Sequence, residues 1–414
     1  MTKPTTPIPS TSSRGAAIGS PDLEPFYNSA LSYEDNYALG PFGLFKHALD
    51  GTDTESPHQS LTDSQAKQPQ GFDRQQPTQA QAQPQSSFLG IPLNLPFGIP
   101  AGPLLNAKYT TAAFRMGFDM AVYKTVRSQA WPCNPFPNVL SVHPRSADGS
   151  ITPGCPELEE GLLADTDYRR PVSISNSFGV PSRDPDIWQP DMQAAMEAAG
   201  PGQLLLPSFQ GSRWPGMDQE AYIRDHVQTA RLVCQTGARI MEMNTSCPNE
   251  GHGRLLCHDP QLVGRIAQAV KEEIGDRPLI IKLAYIPSDE ALETMVRQTA
   301  AQGRVQGFAT INTISARLVD AQGRQALPGE GRDHSGVCGD AIRGAGLDMV
   351  RRLDAIRRRL GLDFAITGVG GVMGPEDYEA YRQAGADAVM SATGAMWNPL
   401  LARQIACQAA PAQG

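Results

Sequence analysis

The chain has 414 residues, enough for one large barrel enzyme with an appended tail or for two smaller domains. Thirty-five Lys and Arg against 43 Asp and Glu leave a net charge of −8 with no long basic run, which argues against nucleic acid as a partner. Seven scattered cysteines (133, 155, 234, 247, 257, 338 and 407) form no Cys-x-x-Cys pair, so an iron–sulfur cluster, a structural zinc or any other metal site is not expected.

In chain order, residues 1–20 are mostly Thr, Ser, Pro and Gly, and residues 51–86 mostly Gln, Ser, Thr, Pro and Asp, with little to bury. Together they make residues 1–86 a low-complexity N-terminal extension, expected to be largely disordered. Within it, residues 23–49 carry Phe26, Tyr27, Leu31, Tyr33, Tyr37, Phe42, Leu44 and Phe45, a density of aromatics that predicts docking on the folded body or on a partner. No charged-then-apolar leader is present, and no apolar run reaches the roughly 18–20 residues of a membrane span, so a cytoplasmic location is expected.

From residue 87 the pattern alternates between strand and helix. Short apolar runs at 98–101, 120–123, 204–209, 240–243, 279–283, 307–311, 364–366 and 388–390 predict buried parallel strands. Apolar spacing near 3.6 predicts helices at 221–236, 260–274, 289–302, 346–360 and 375–384. Eight strands over residues 87–406 predict an α/β fold of the closed (β/α)8 TIM-barrel type, with a flexible tail at 407–414. A ninth apolar run at 172–175 is assigned to a long excursion after the second strand. That connection has no helical periodicity and contains Pro132, Pro135, Pro137, Pro144, Pro153, Pro156 and Pro171. In barrels such excursions cover the face where strand C-termini carry the chemistry.

The fourth run ends in Asn244-Thr245-Ser246-Cys247-Pro248-Asn249, a thiol set between two carboxamides. A thiol exchanges a proton near neutrality, and neutral amides can hold a flat uncharged ring. Other predicted strand ends supply Ala101-Gly102, Lys124-Thr125, Lys282, Asn312-Thr313, Thr367-Gly368 and Thr393-Gly394. Lys282 lies inside the apolar run Ile280-Ile281-Lys282-Leu283, where a buried ammonium needs an anion. That anion is either a ligand or a carboxylate on a neighbouring strand such as Glu242. Thr367 to Gly371 and Ala392-Thr393-Gly394 follow the last two strands, where barrels bind phosphate on exposed backbone N–H groups, with Gly336 and Gly339 upstream.

From residue 89 to about 404 the chain resembles the FMN-dependent dihydroorotate dehydrogenase family. The resemblance is carried by Ala101-Gly102, Lys124-Thr125 with Asn134-Pro135, the 176–181 loop, the 244–249 motif, Ile281-Lys282-Leu283, Asn312-Thr313 and the two glycine loops. It implies oxidation of dihydroorotate to orotate in pyrimidine biosynthesis, with Cys247 as proton-transfer base and FMN as hydride acceptor. It makes Asn176, Asn244, Asn249 and Asn312, with Thr313, the substrate-binding set, and Lys124 a contact to both substrate and flavin. Lys282, Ala101, Gly102, Gly339, Gly370, Gly371, Ala392, Thr393 and Gly394 would hold FMN, and a lysine there would favour its reduced, anionic form. The resemblance also implies a homodimer and an electron acceptor that the sequence does not identify: fumarate, a quinone or a partner-borne NAD-linked flavin.

Two departures bear on substrate. Residues 145–170 are longer than the usual connection, and the run Leu256 to Pro260 is more like the dihydropyrimidine dehydrogenases. The alternatives are an FMN-dependent reductase of uracil-like rings or tRNA uridine, and a flavin-retaining barrel that acts as a binding protein.

Overall fold

The computed structural model describes residues 23–51, 86–246 and 255–409. The expectations for 1–20, for most of 51–86, and for Cys247 and Asn249 fall outside them.

Eight parallel strands close into a barrel in sequence order: β1 (Phe97–Ile99), β2 (Met120–Val126), β3 (Leu204–Phe209), β4 (Met241–Asn244), β5 (Leu279–Leu283), β6 (Gly307–Thr310), β7 (Ala365–Val369) and β8 (Ala388–Met390). Residues two apart share a face, so Met120 and Val122, Leu204 and Leu206, Ile240 and Ile280 fill the barrel, and the alternate positions pack under the helices. One main helix follows each strand: Ala107–Arg115, Pro185–Glu197, Gln219–Gln235, Pro260–Ile274, Asp289–Gln298, Arg343–Leu360, Pro375–Gln383 and Leu401–Ala409.

The first two of these helices escape the sequence pattern. The Pro185–Glu197 helix places Pro185 in its first turn, where the missing N–H has no intrahelical partner to lose, and it tolerates Pro190 inside. The fifth helix ends at Gln298 and continues as a short 3-10 turn, Ala300–Gln302. The last helix corrects the expected tail: residues 407–409 are helical, held by Leu401, Ala402 and Ile405 buried on the helix's inner face.

Three additions complete the body. A hairpin, Ser86–Phe88 with Ile91–Leu93, turns through Leu89 and Gly90, both at positive φ, and puts Phe88 and Leu93 against the apolar floor of the barrel. A second closed sheet of five strands joins Ser141–His143, Leu162–Asp165 and Ser173–Asn176 from the excursion after β2 to Ile314–Val319 and His334–Gly339 after β6. The expected excursion is thus only half of this structure. The other half, Ile314–Val319 and His334–Gly339 between β6 and its helix, mixes polar with apolar residues and lacks the continuous apolar run by which the barrel strands are read.

The N-terminal segment forms two helices, Tyr33–Leu39 and Gly43–Asp50, packed on Ala107–Arg115. Phe26 stacks on Phe45 at 4.2 Å between ring centroids, both rings are fully buried, and Phe26 meets the edge of Tyr109. The Tyr109 hydroxyl donates to the Asn36 carbonyl at 2.9 Å, and the Phe26 N–H donates to the Met396 carbonyl at 3.3 Å. Arg183 pairs with Glu34 across the contact.

Candidate active site

Toward the C-terminal ends of the strands the barrel interior changes from apolar to polar. The inward positions that follow the apolar layers are Lys124, Ser208, Glu242, Asn244, Lys282 and Thr367, all buried. A register shift between Tyr123 and Val126 lets Lys124 and Thr125 both face the cavity above.

That cavity has three connected parts. Ala101, Gly102, Asn176, Lys282, Asn312 and Thr313 line a space of ≈ 580 Å³. Lys124, Asn244 and Glu242 line an adjoining ≈ 450 Å³, which shares Lys282, Asn312 and Asn176 with the first. Gly339, Gly370, Gly371 and Gly394 line a further ≈ 260 Å³, joined through Asn312, Ala392 and Thr393. The candidate residues within the described chain therefore border three adjoining spaces with shared walls, although they come from seven connections.

Several sites around it are fixed by hydrogen bonds. Asn244 Oδ1 accepts from the Ser246 hydroxyl at 2.8 Å, and Asn312 Nδ2 donates to the same hydroxyl at 2.9 Å. Ser246, the residue before Cys247, is thereby held between two carboxamides. Thr245 Oγ1 donates to the Lys282 carbonyl at 2.7 Å, and the Cys257 N–H donates to the Thr245 carbonyl at 2.9 Å, so both ends of the 247–254 connection are anchored. The Asn176 loop is held from two excursions: Asn138 Nδ2 donates to the Ser177 carbonyl at 3.0 Å, and an Arg332 guanidinium N–H donates to the Ser177 hydroxyl at 2.6 Å. Arg127, almost fully buried, donates to the Val180 carbonyl at 3.0 Å and the Gly211 carbonyl at 3.1 Å, tying the β2 and β3 loops together.

The ends of the cavity differ in chemistry. At one end the glycines are required by close approach: a Cβ on Gly394 would lie 2.1 Å from the Val372 carbonyl oxygen, and one on Gly339 would lie 2.3 Å from that of Val172. Gly339, Gly370 and Gly371 have φ of 98°, 125° and 68°, in the region that favours glycine. The four glycines expose backbone on that part of the wall, which suits a phosphate. The middle is apolar, lined by Tyr27, Val139, Ile174 and Met396, and the far end holds the carboxamides and Lys124. A phosphate-bearing flat cofactor fits this sequence of surfaces.

Among the described residues, Lys124, Lys282 and Glu242 bring buried charge to the carboxamide end of the cavity. Burial pushes the Lys282 ammonium below its ordinary range, opposed by Glu242. Burial pushes the Glu242 carboxyl up, opposed by Lys282 and weakly by the nearby Ser208 hydroxyl. Ser208 Oγ lies 3.0 Å from Thr125 Oγ1, and neither Glu242 oxygen completes a hydrogen bond. The alternative suggested by the sequence, a contact ion pair of Lys282 with Glu242, is absent among the described residues. Two cavity thiols or neighbours are poor bases, since burial raises Cys338 to about 11 and Cys257 to about 12.

The residues that sequence reasoning missed are Tyr27, Arg332, Cys338 and Met396. Tyr27 arrives from the N-terminal segment, 2% exposed, with its ring against the edge of Phe178 at 5.9 Å. No local motif announces any of them; the aromatic density at 23–49 was the available signal for Tyr27.

A family model, dihydroorotate dehydrogenase, matches residues 84–409. The chain belongs to the dihydroorotate dehydrogenase family. Family members similar to it include a dihydroorotate dehydrogenase of Dictyostelium discoideum, 32% identical over 391 residues, 92% of this chain and 96% of the relative. The catalytic subunit of a dihydroorotate dehydrogenase B (NAD(+)) from Maridesulfovibrio salexigens is 30% identical over 42% of this chain and 54% of its own length. A dihydroorotate dehydrogenase A (fumarate) of Limosilactobacillus reuteri is 29% identical over 46% and 58%. A crystal structure of the Eimeria tenella enzyme in complex with ferulenol superposes with a TM-score of 0.58 at 18% identity, over 77% of this chain and 81% of that one, a likeness in fold. As in a family of barrel oxidoreductases, the cavity lies at the C-terminal rim. Among the described residues no helix is long and apolar enough to cross a membrane, and no cluster of three His, Cys, Asp or Glu is placed to hold a metal.

Proposed function

We propose that the protein oxidises dihydroorotate to orotate at this cavity, with FMN bound along it and Cys247 as the base. The observation that carries this reading is the double anchorage of Ser246 by Asn244 and Asn312, which fixes the chain immediately before Cys247 at the carboxamide end. When bound, FMN supplies the two-electron acceptor that the reaction requires.

The rest is work for the chain's own groups. Asn176, Asn244, Asn249 and Asn312 each offer both a donor and an acceptor to a ring edge that alternates N–H and C=O. Lys124 supplies a cation for the substrate carboxylate. The glycine loops receive a phosphate on backbone N–H groups, and Tyr27, Val139 and Met396 keep water from the apolar middle. Cys247 removes the C5 proton as thiolate, which for an ordinary thiol with a pKa of about 8.5 demands local positive charge or alkaline pH.

The test is steady-state turnover with dihydroorotate and with dihydrouracil. The reading expects orotate formation to dominate and Cys247→Ala to lower kcat by about 10²- to 10⁴-fold. Preferential turnover of uracil-like rings would transfer the site to the reductase alternative.

A further inference from the structure

Among the described residues that line the cavity, Glu242 is a charged side chain to which the proposed reaction gives no task. It lies on β4 two residues before Asn244, so the strand's period of two turns both inward. It is 1% exposed, and both carboxylate oxygens lack a hydrogen-bond partner. A carboxylate in such a place is strongly disfavoured unless a cation compensates it.

The charged groups that share its cavity wall are Lys124 from β2 and Lys282 from β5; Thr125, Asn244 and Asn312 complete the wall as neutral groups. Pairing between β4 and β5 sets Glu242 beside Ile280 and Asn244 beside Lys282, which puts the lysine one inward layer nearer the cavity mouth than the carboxylate. The charge acting on Lys282 is Glu242, and the influence is reciprocal. Alone, each would be driven to its neutral form by burial; together they can stay charged.

We propose that Glu242 is a positioning residue for Lys282, whose buried carboxylate keeps the Lys282 ammonium charged at the cavity wall and thereby favours reduced over oxidised flavin. The first half rests on the cavity wall the two side chains share and on the register that sets them one layer apart, and the second rests on the FMN reading above. Lys282 is the nearer charge to the cavity, so retention of the cation outweighs the carboxylate's own repulsion of an anion.

Glu242→Gln keeps the shape and removes the charge. The chain contains seven lysines, few enough for each side-chain nitrogen to be followed by NMR in flavin-free protein, with Lys282 assigned by its loss in Lys282→Met. Lys282 is expected to lose its proton at lower pH in Glu242→Gln than in the wild type. With flavin bound, the variant is expected to hold the reduced form about tenfold less tightly relative to the oxidised form, a fall of about 30 mV in the two-electron midpoint potential. Acidification should reverse that fall by recharging the lysine. An unchanged Lys282 titration, or a potential that rises, would overturn the proposal, because either means that the carboxylate does not act through the lysine. If the wild type bound no FMN, the functional reading would fail while the lysine titration still decided the pairing.

Discussion

Asn312 has two partners to serve at once. Its carboxamide secures the Ser246 hydroxyl at 2.9 Å and also lines all three parts of the cavity. Asn312→Ala removes an anchor and leaves buried polar groups unpaired, a loss of about 1–3 kcal/mol. In kinetic terms kcat/KM for dihydroorotate should fall by roughly 10- to 100-fold, and Tm should fall with it because the Ser246 hydroxyl loses a partner. A base that works as thiolate also sets the pH profile: below the thiol's pKa, kcat should climb about tenfold per unit, and Cys247→Ser should lose the plateau. Rates measured across pH 6 to 10 would show it.

Single elements carry two further expectations. The first turn of Thr393–Trp397 approaches the Val372 carbonyl so closely that Gly394→Ala must displace it or the Val372 loop. FMN affinity should drop by at least about tenfold, since the backbone donors of both loops move together, and fluorescence titration of flavin-free protein would report it. Within Gln219–Gln235, His226 is fully buried and hydrogen-bonded through Nδ1 to the Tyr222 carbonyl at 3.0 Å, with Nε2 unpartnered. Burial is the main cause that lowers its pKa from 6.5 to about 4. The unfolded chain then binds more protons than the folded one between those values. Stability should therefore fall as pH drops from about 6.5 to 4, by up to about 1.4 kcal/mol per unit. Denaturant titrations of the wild type and His226→Gln isolate that slope, which the variant should lack.

At the scale of the whole molecule, the N-terminal segment is a structural strap as well as a wall of the cavity. Phe26→Ala would open a hole between Phe45 and Tyr109, at a cost of about 3–5 kcal/mol. Chemical denaturation should register that loss, and Tyr27 should lose its fixed position with it. The barrel itself was legible because its strands are continuous apolar runs and its polar strand ends are lysine, asparagine and glycine, residues that such runs would otherwise exclude. The second sheet was not, because strands of three to six residues drawn from 141–176 and 314–339 pair only across long sequence separations. The same holds within the site. Lys282 stood out against its apolar neighbours, whereas Tyr27 and Arg332 enter through tertiary packing that leaves no local pattern. Glu242 was legible only as a partner for Lys282, and its two unpaired oxygens needed the structure.

The most direct measurement is anaerobic mixing of the purified protein with dihydroorotate while the flavin absorbance is followed. A yellow protein that bleaches rapidly is expected, with Cys247→Ala bleaching at least about 100-fold more slowly. A colourless protein that cannot be reconstituted with FMN, or a yellow one that dihydroorotate leaves oxidised, would contradict the proposed function.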